Sequence, residues 1–307
     1  MSAEILLEAR EVSCSYGRHR AVSALSLRVA RGECLGLLGL NGAGKSSTLS
    51  MLAGVRAPSD GRILIGGLDL QTEPLAARRR LGYLPDVPPL FAEMRVEEYL
   101  GFCADLRAVP QRADAVARAS ARCGLQDVGT RQIRSLSKGY QQRIGIAQAI
   151  VHEPEVVILD EPSVGLDPRQ LHDIRALVKA LAVDRAVVLS SHLLAEIEST
   201  CTRVAILHHG QLVHEAPVAA GQLQLVLVLK DTAPRATRLA AIDGVLAVSA
   251  GGPGRWVLDV RDEQVAEAIA RAALDEQWGL RRLEALTSPL EATFLALTVK
   301  GDVACLG

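Results

Sequence analysis

Gly39-Leu40-Asn41-Gly42-Ala43-Gly44-Lys45-Ser46-Ser47 is the stretch on which the reading of the fold turns. It fits G-x-x-x-x-G-K-[ST] and follows Cys34-Leu35-Gly36-Leu37-Leu38, an apolar run of the kind expected for a strand buried on both faces. Glycines let such a loop curl so that successive backbone N–H groups point inward at phosphate oxygens. Lys45 adds a point charge, and the helix expected from Gly44 to about Ala53 offers its positive end. The hydroxyl of Ser46 is placed to meet Mg²⁺. A second segment, Leu136-Ser137-Lys138-Gly139-Tyr140-Gln141-Gln142-Arg143, reads as another anion grip: a Ser hydroxyl and a Gly N–H at the start of a helix expected to run to His152.

Working outward, Ile5 to Val29 alternates in the manner of antiparallel strands, and Asp60-Gly61 and Gly66-Gly67 bracket a hairpin element at Ile63-Leu64-Ile65. Val96 to Cys123 has helical periodicity and interrupts the alternation of strands and helices, so it is expected to be an inserted helical region. Val156-Val157-Ile158-Leu159 is a second buried strand ending on Asp160-Glu161. A helix (Arg169 to Leu181), a strand (Ala186 to Leu189), a helix (Leu193 to Thr200) and a hairpin turning at His209-Gly210 follow. This alternation predicts an α/β domain with a largely parallel core sheet. Pro217 and Ala219-Ala220-Gly221 mark a boundary, beyond which the order strand 223–229, helix 235–241, strands 245–250 and 255–260, helix 263–275 and strand 280–285 predicts an α+β, ferredoxin-like domain. A final helix is expected from Pro289 to about Val299.

Composition narrows the function. The 307 residues are 49% hydrophobic with a formal net charge of −1, so a large core is affordable and no global basic field draws in nucleic acid or an anionic surface. Aromatics are 3%, which argues against a base-stacking platform for nucleic acid. Cys14, Cys34, Cys103, Cys123, Cys201 and Cys305 are scattered without a C-x-x-C pair, as in reduced cytoplasmic proteins. No run of about 20 apolar residues is present. Met1 to Arg10 carries two glutamates and no apolar signal core, so any membrane role is expected to come through a partner. His208, His209 and His214 lack a fourth ligand at metal-site spacing.

The two carboxylates at the strand tip call for different work. Asp160 is placed to hold Mg²⁺ opposite Ser46, and Glu161 to orient or deprotonate the water that attacks a γ-phosphate.

Taken together, the phosphate loop, Leu136–Tyr140, Ile158-Leu159-Asp160-Glu161-Pro162-Ser163, Gly165-Leu166-Asp167 and Ser190-Ser191-His192 resemble the ATP-binding cassette (ABC) ATPases. The likeness covers about residues 4–216, with the motifs in family order and a helical insert at about 87–135; the small α+β domain occupies 222–300. Gly82-Tyr83-Leu84-Pro85 and Leu290–Thr298 are similar to the bacterial exporter subclass, in which a soluble ATPase pairs with a separate permease. The resemblance implies ATP and Mg²⁺ as ligands and a catalytic set of Glu161, His192 and Lys45. Tyr16 stands where an aromatic stacks on adenine. Residues Gly39 to Ser47 (Leu40, Asn41, Gly42, Ala43 and Gly44 among them) surround the phosphates. Ser46, Asp160 and Asp86 face the metal. Ser137 and Gly139 would meet the γ-phosphate bound by a second cassette, and Asp167 would communicate between the two ATP sites.

Two positions depart from the family pattern. Asp86 replaces the usual Gln on the loop to the insert, and Lys138-Gly139-Tyr140 replaces Gly-Gly-Gln. The implied function is ATP-driven export as a dimer, peripheral on the inner face of the cell membrane, with the insert and Val87 to Met94 as the permease-docking surface. The alternative within the same family is a soluble ATPase acting on ribosomes or DNA; such members carry two cassettes or a long coiled-coil insertion, and this chain has neither. For the C-terminal domain, a dimer brace, a regulatory sensor and a permease-binding element all remain open.

Overall fold

The computed structural model describes residues 4–218, 223–230, 236–252, 254–262, 264–285 and 289–304. The alternating N-terminal stretch forms two long strands, β1 (Ile5–Tyr16) and β2 (His19–Ala30), paired antiparallel and joined by a tight turn with Gly17 at φ 60°. The apolar run becomes β3 (Cys34–Leu38), in which every residue is buried, and α1 (Lys45–Leu52) follows the phosphate-loop sequence. Next come β4 (Asp60–Ile65) and β5 (Leu68–Asp69), which extend the first sheet in the order β2-β1-β4-β5.

After α2 (Pro74–Arg79) and β6 (Leu81–Leu84), the helical pattern of 96–123 is realised as two helices, α3 (Val96–Leu106) and α4 (Arg112–Arg122). Pro110 lacks an N–H and pushes its predecessor out of helical geometry, and Ala108 and Gln111 take positive φ values of 50° and 56°. The start of α3 is closed by the Glu98 carboxylate, which accepts from the Arg95 N–H at 2.9 Å. Val96, Tyr99, Leu100 and Ala104 form its buried stripe.

The chain returns through α5 (Lys138–Ile150), β7 (Val156–Leu159), α6 (Pro168–Ala182), β8 (Ala186–Ser191), α7 (Leu194–Thr200), β9 (Arg203–His208) and β10 (Gln211–Pro217). The second sheet runs β10-β9-β3-β8-β7-β6, and all its pairings are parallel except that of β9 with β10. Leu35, Leu37, Ile158, Val188 and Leu207 from this sheet share one core with Leu7, Val12 and Leu27 of the first sheet and with Leu49 and Leu52 of α1. The phosphate loop is thus anchored on both sides by packed apolar residues.

Contacts divide the chain into two compact units, one comprising residues up to 219 and from 296 onward, the other residues 220–295. The second unit contains β11 (Leu223–Leu229), α8 (Ala236–Ala240), β12 (Val245–Ala250), β13 (Arg255–Val260), α9 (Val265–Asp275) and β14 (Leu280–Ala285), and α10 (Pro289–Ala304) ends the described chain. Its sheet is antiparallel in the order β12-β13-β11-β14, the split arrangement expected from βαββαβ. Leu225, Leu227, Leu239, Leu258, Ile269 and Trp278 form its core.

One half-buried histidine makes the first unit sensitive to acid. The His152 Nε2–H donates to the Leu81 carbonyl at 3.0 Å, and the Arg107 guanidinium lies beside it. Burial, then the Arg107 charge, pushes His152 down to about 4 from its ordinary 6.5. Because the folded value lies below the unfolded one, this contribution to stability is complete above 6.5 and is lost as pH falls toward 4. The total loss is on the order of 3 kcal/mol. Thermal melts from pH 7 to 4.5 should therefore show a steeper decline for the native chain than for His152→Gln. Parallel curves would contradict it.

Candidate active site

The register of the parallel strands brings three loops to one edge. Leu38 of β3 lies opposite Ser191 of β8, and Leu159 of β7 opposite Leu189 of β8. The loops that begin at Gly39, Asp160 and His192 therefore leave the sheet side by side. Gly44 adopts φ 101°, a conformation that L side chains rarely take, and a Cβ there would come within 2.7 Å of the Ala21 carbonyl oxygen. That residue ends the curl and starts α1, whose first N–H groups have no partner within the helix.

Lys45 folds back across the loop. Its ammonium donates to the Gly39 carbonyl at 2.7 Å and the Leu40 carbonyl at 3.3 Å. Burial holds this amine below the ordinary lysine range, and the negative charges of Glu161 and Asp160 oppose that shift. The ammonium is thus desolvated, so an incoming anion gains from it strongly, against the repulsion of the two carboxylates.

Both carboxylates are organised by one hydroxyl. Ser190 donates to Asp160 Oδ1 at 2.6 Å and accepts from the Glu161 N–H at 2.9 Å. Burial pushes the Asp160 carboxyl up, hydrogen bonds from Ser190 and Ser46 oppose this, and the Asp86 charge adds to it. Glu161 has φ 48°, a left-handed conformation that costs a non-glycine residue energy and is held by surrounding structure. The His192 Nδ1–H donates to Glu161 Oε2 at 2.8 Å. The result is a fixed chain from His192 through Glu161 and Ser190 to Asp160 and Ser46.

These groups border a cavity of about 510 Å³ lined by Tyr16, Asn41, Gly42, Gly44, Lys45, Ser46, Ser47, Asp86, Glu161 and His192, together with His19, Ala21 and Val164. At Tyr16 the hydroxyl lies 3.3 Å from Ser47 Oγ. Gly39, Leu40 and Ala43 form the stem of the loop rather than the cavity wall; the Ala43 carbonyl accepts from the Gly210 N–H. Asp160 lies just behind the wall, joined to it through Ser46.

Ser137, Gly139 and Asp167 do not line this cavity. Ser137 precedes α5 without using its hydroxyl to cap that helix. Asp167 does cap α6, accepting from the Gln170 N–H at 2.9 Å. A Cβ on Gly139 would lie 2.5 Å from the Gln170 side chain, and one on Gly165 would strike the Lys138 ammonium. An Arg143–Asp173 ion pair fastens α5 to α6. The residues singled out from sequence therefore form two loci, one around the phosphate loop and one at the start of α5 and α6.

A family model described as ABC transporter matches residues 22–164. The bacitracin transport ATP-binding protein BcrA of Bacillus licheniformis is 35% identical over 214 residues, which are 69% of this chain and 70% of BcrA. The chain belongs to the ABC transporter ATP-binding proteins. The ABC transporter ATP-binding protein YxlF of Bacillus subtilis is likewise 35% identical, over 67% of this chain and 69% of its own length. A solved ATP-binding subunit of an ABC transporter, 32% identical, matches 69% of this chain and 90% of its own with a TM-score of 0.64. The first unit of this ABC protein has the family's P-loop cassette fold, and its activity is ATP hydrolysis.

Ser190 was not among the site residues read from sequence, although Ser190-Ser191-His192 was noticed as a motif; its role depends on which strand β7 pairs with. Replacing it with Ala would leave a buried carboxylate and an N–H without their partner, at a cost of about 1–3 kcal/mol. The Asp160 carboxyl would also move further up, so the cost should be largest near neutral pH and shrink as Asp160 is protonated. Denaturant titration of Ser190→Ala at two pH values checks this; a pH-independent loss under about 0.5 kcal/mol would contradict it.

Proposed function

We propose that this chain is the ATP-hydrolysing subunit of an exporter, acting as a dimer on a separate membrane permease. The observation that carries the reading is the division of the site into two loci. The phosphate cavity lacks the Ser137 hydroxyl, and Ser137 has a hydroxyl that its own helix does not use. A second copy, placed so that its Ser137 and Gly139 meet the γ-phosphate held by Lys45, completes both sites at once. Asp167, the cap of α6 in the second locus, would link them.

Within each site, Tyr16 would stack on adenine, and the amides of residues 41–47 with Lys45 would hold the phosphates. Ser46 and Asp160, with Asp86 nearby, offer the hard oxygen donors that Mg²⁺ prefers when phosphates supply the remaining ligands. Bound there, Mg²⁺ would neutralise charge developing on the β- and γ-phosphate oxygens. Glu161 would take the proton of the water whose oxygen attacks the γ-phosphorus as the bond to ADP breaks. His192, hydrogen-bonded to Glu161, would fix that carboxylate and contact the γ-phosphate.

We assign the cassette to 4–216, its insert to 87–135, and a brace or regulatory role to the domain at 222–300. No described helix is long and apolar enough to cross a membrane, so membrane association would come through the permease. BcrA is a bacitracin transport protein by name, which supports export over ribosome or DNA work. For docking, Val87 and Phe91 are exposed, and a groove of about 680 Å³ runs between α2, β6 and α3, with Leu75 and Leu106 on its rim.

Glu161→Gln should keep ATP affinity, lower turnover by about 10²–10⁴-fold and accumulate an ATP-bound dimer on size exclusion; near-normal turnover would remove its assigned role. Lys45→Ala should weaken ATP binding itself by roughly 10- to 100-fold in calorimetry. Unchanged affinity there would count against the phosphate-loop assignment.

A further inference from the structure

The Tyr16 ring is backed by a cation that no motif marks. The guanidinium carbon of Arg56, in the turn after α1, lies 4.2 Å from the centroid of the Tyr16 ring. Tyr16 lines the phosphate cavity, whereas Arg56 does not; Arg56 lines a separate hollow of about 320 Å³ with Pro58, Ile63, Leu70 and Pro74. The guanidinium thus covers one face of the ring without bordering the cavity. Among the described residues the Arg56 side chain makes no hydrogen bond or ion pair, so the ring is its partner. At the ring's edge, the hydroxyl contacts Ser47 Oγ at 3.3 Å.

Tyr16 needs such support. It is the last residue of β1, next to a tight turn, and is 44% exposed. An unsupported ring there would sample several rotamers, and stacking a base on it would have to stop that motion. A cation over one face and a hydroxyl contact at the edge restrict the ring in advance, so less ordering remains when the base arrives.

We propose that Arg56 is a positioning residue for the base of ATP: it clamps Tyr16 by one face and leaves the other to adenine. This rests on the reading of Tyr16 as the adenine platform. An exposed cation–π contact is worth about a two- to fivefold change in an equilibrium constant. The effect should fall on the base alone, because Arg56 does not border the phosphate cavity.

The test compares ATP with inorganic tripolyphosphate, which has the phosphates and no base, by calorimetry on the full chain. Arg56→Ala should weaken ATP by about two- to fivefold and leave tripolyphosphate unchanged, with Arg56→Lys recovering part of the loss. In turnover the change should appear in KM and not in kcat. Equal weakening of both ligands would mean that Arg56 acts on the phosphates, which overturns the proposal. If Tyr16→Ala weakens ATP and Arg56→Ala does not, the clamp fails while the platform stands. If Tyr16→Ala itself leaves ATP affinity unchanged, the platform fails and takes the clamp with it. Arg56 is exposed, and a melting curve like that of the native chain would confirm that Arg56→Ala is folded.

Discussion

Everything at the candidate site depends on the register of three parallel strands that end at one edge of the sheet. β8 lies between β3 and β7, so the segment Ser190-Ser191-His192 emerges between the phosphate loop and the Asp160-Glu161 pair. With Leu159 opposite Leu189, Asp160 comes beside Ser190, and one hydroxyl can serve both carboxylate residues. A slip of one residue would turn Ser190 to the other face and leave Asp160 buried without that partner. The complete burial of β3, β7 and β8 opposes such a slip, because both faces of each strand are packed. The hydrophobic core thus sets the geometry of the polar site.

The electrostatics follow from that placement. Lys45 is a desolvated cation between carbonyl oxygens and two carboxylates, while Asp160 is a buried anion supported by two serines. Asp86, on the loop toward the helical insert, adds negative charge near Asp160; burial, then Asp160 and Asp86, pushes Tyr83 up to about 12. Where the family pattern has a neutral glutamine, this chain has a carboxylate whose charge reaches Asp160. Lys138 lines the neighbouring cavity of about 700 Å³ together with Asp86 and Glu161, so the two departures from the pattern bring opposite charges to the same space.

Much of this was legible in the sequence because the signals are local. The apolar runs before Gly39 and Asp160 gave buried strands, and the turn at His209-Gly210 appeared with both residues at positive φ. The helical insert was visible as a periodicity, but its break at Ala108–Gln111 was not, since one proline within a strong pattern marks a kink as readily as a stop. Ser190, His152 and Arg56 escaped for a different reason. Each works through a residue distant in sequence, at a separation set by strand order and side-chain packing, and neither leaves a periodic trace. The site residues that were named from sequence came as a group through their order along the chain. The resemblance already set Ser137 and Gly139 apart, toward the phosphate of a second cassette; that neither lines the cavity of its own chain came from the fold.

In the proposed dimer, one ATP site is built from two chains, with the phosphate loop of one and Ser137 of the other. Its most direct test is complementation of ATPase activity between Lys45→Ala and Ser137→Arg chains, each inactive alone. In a mixed dimer both defects fall in one site, and the other site combines an intact loop with an intact Ser137. A shared site predicts activity in the mixture well above that of either variant by itself. A mixture as inactive as its components, with mixed dimers demonstrably formed, would contradict it.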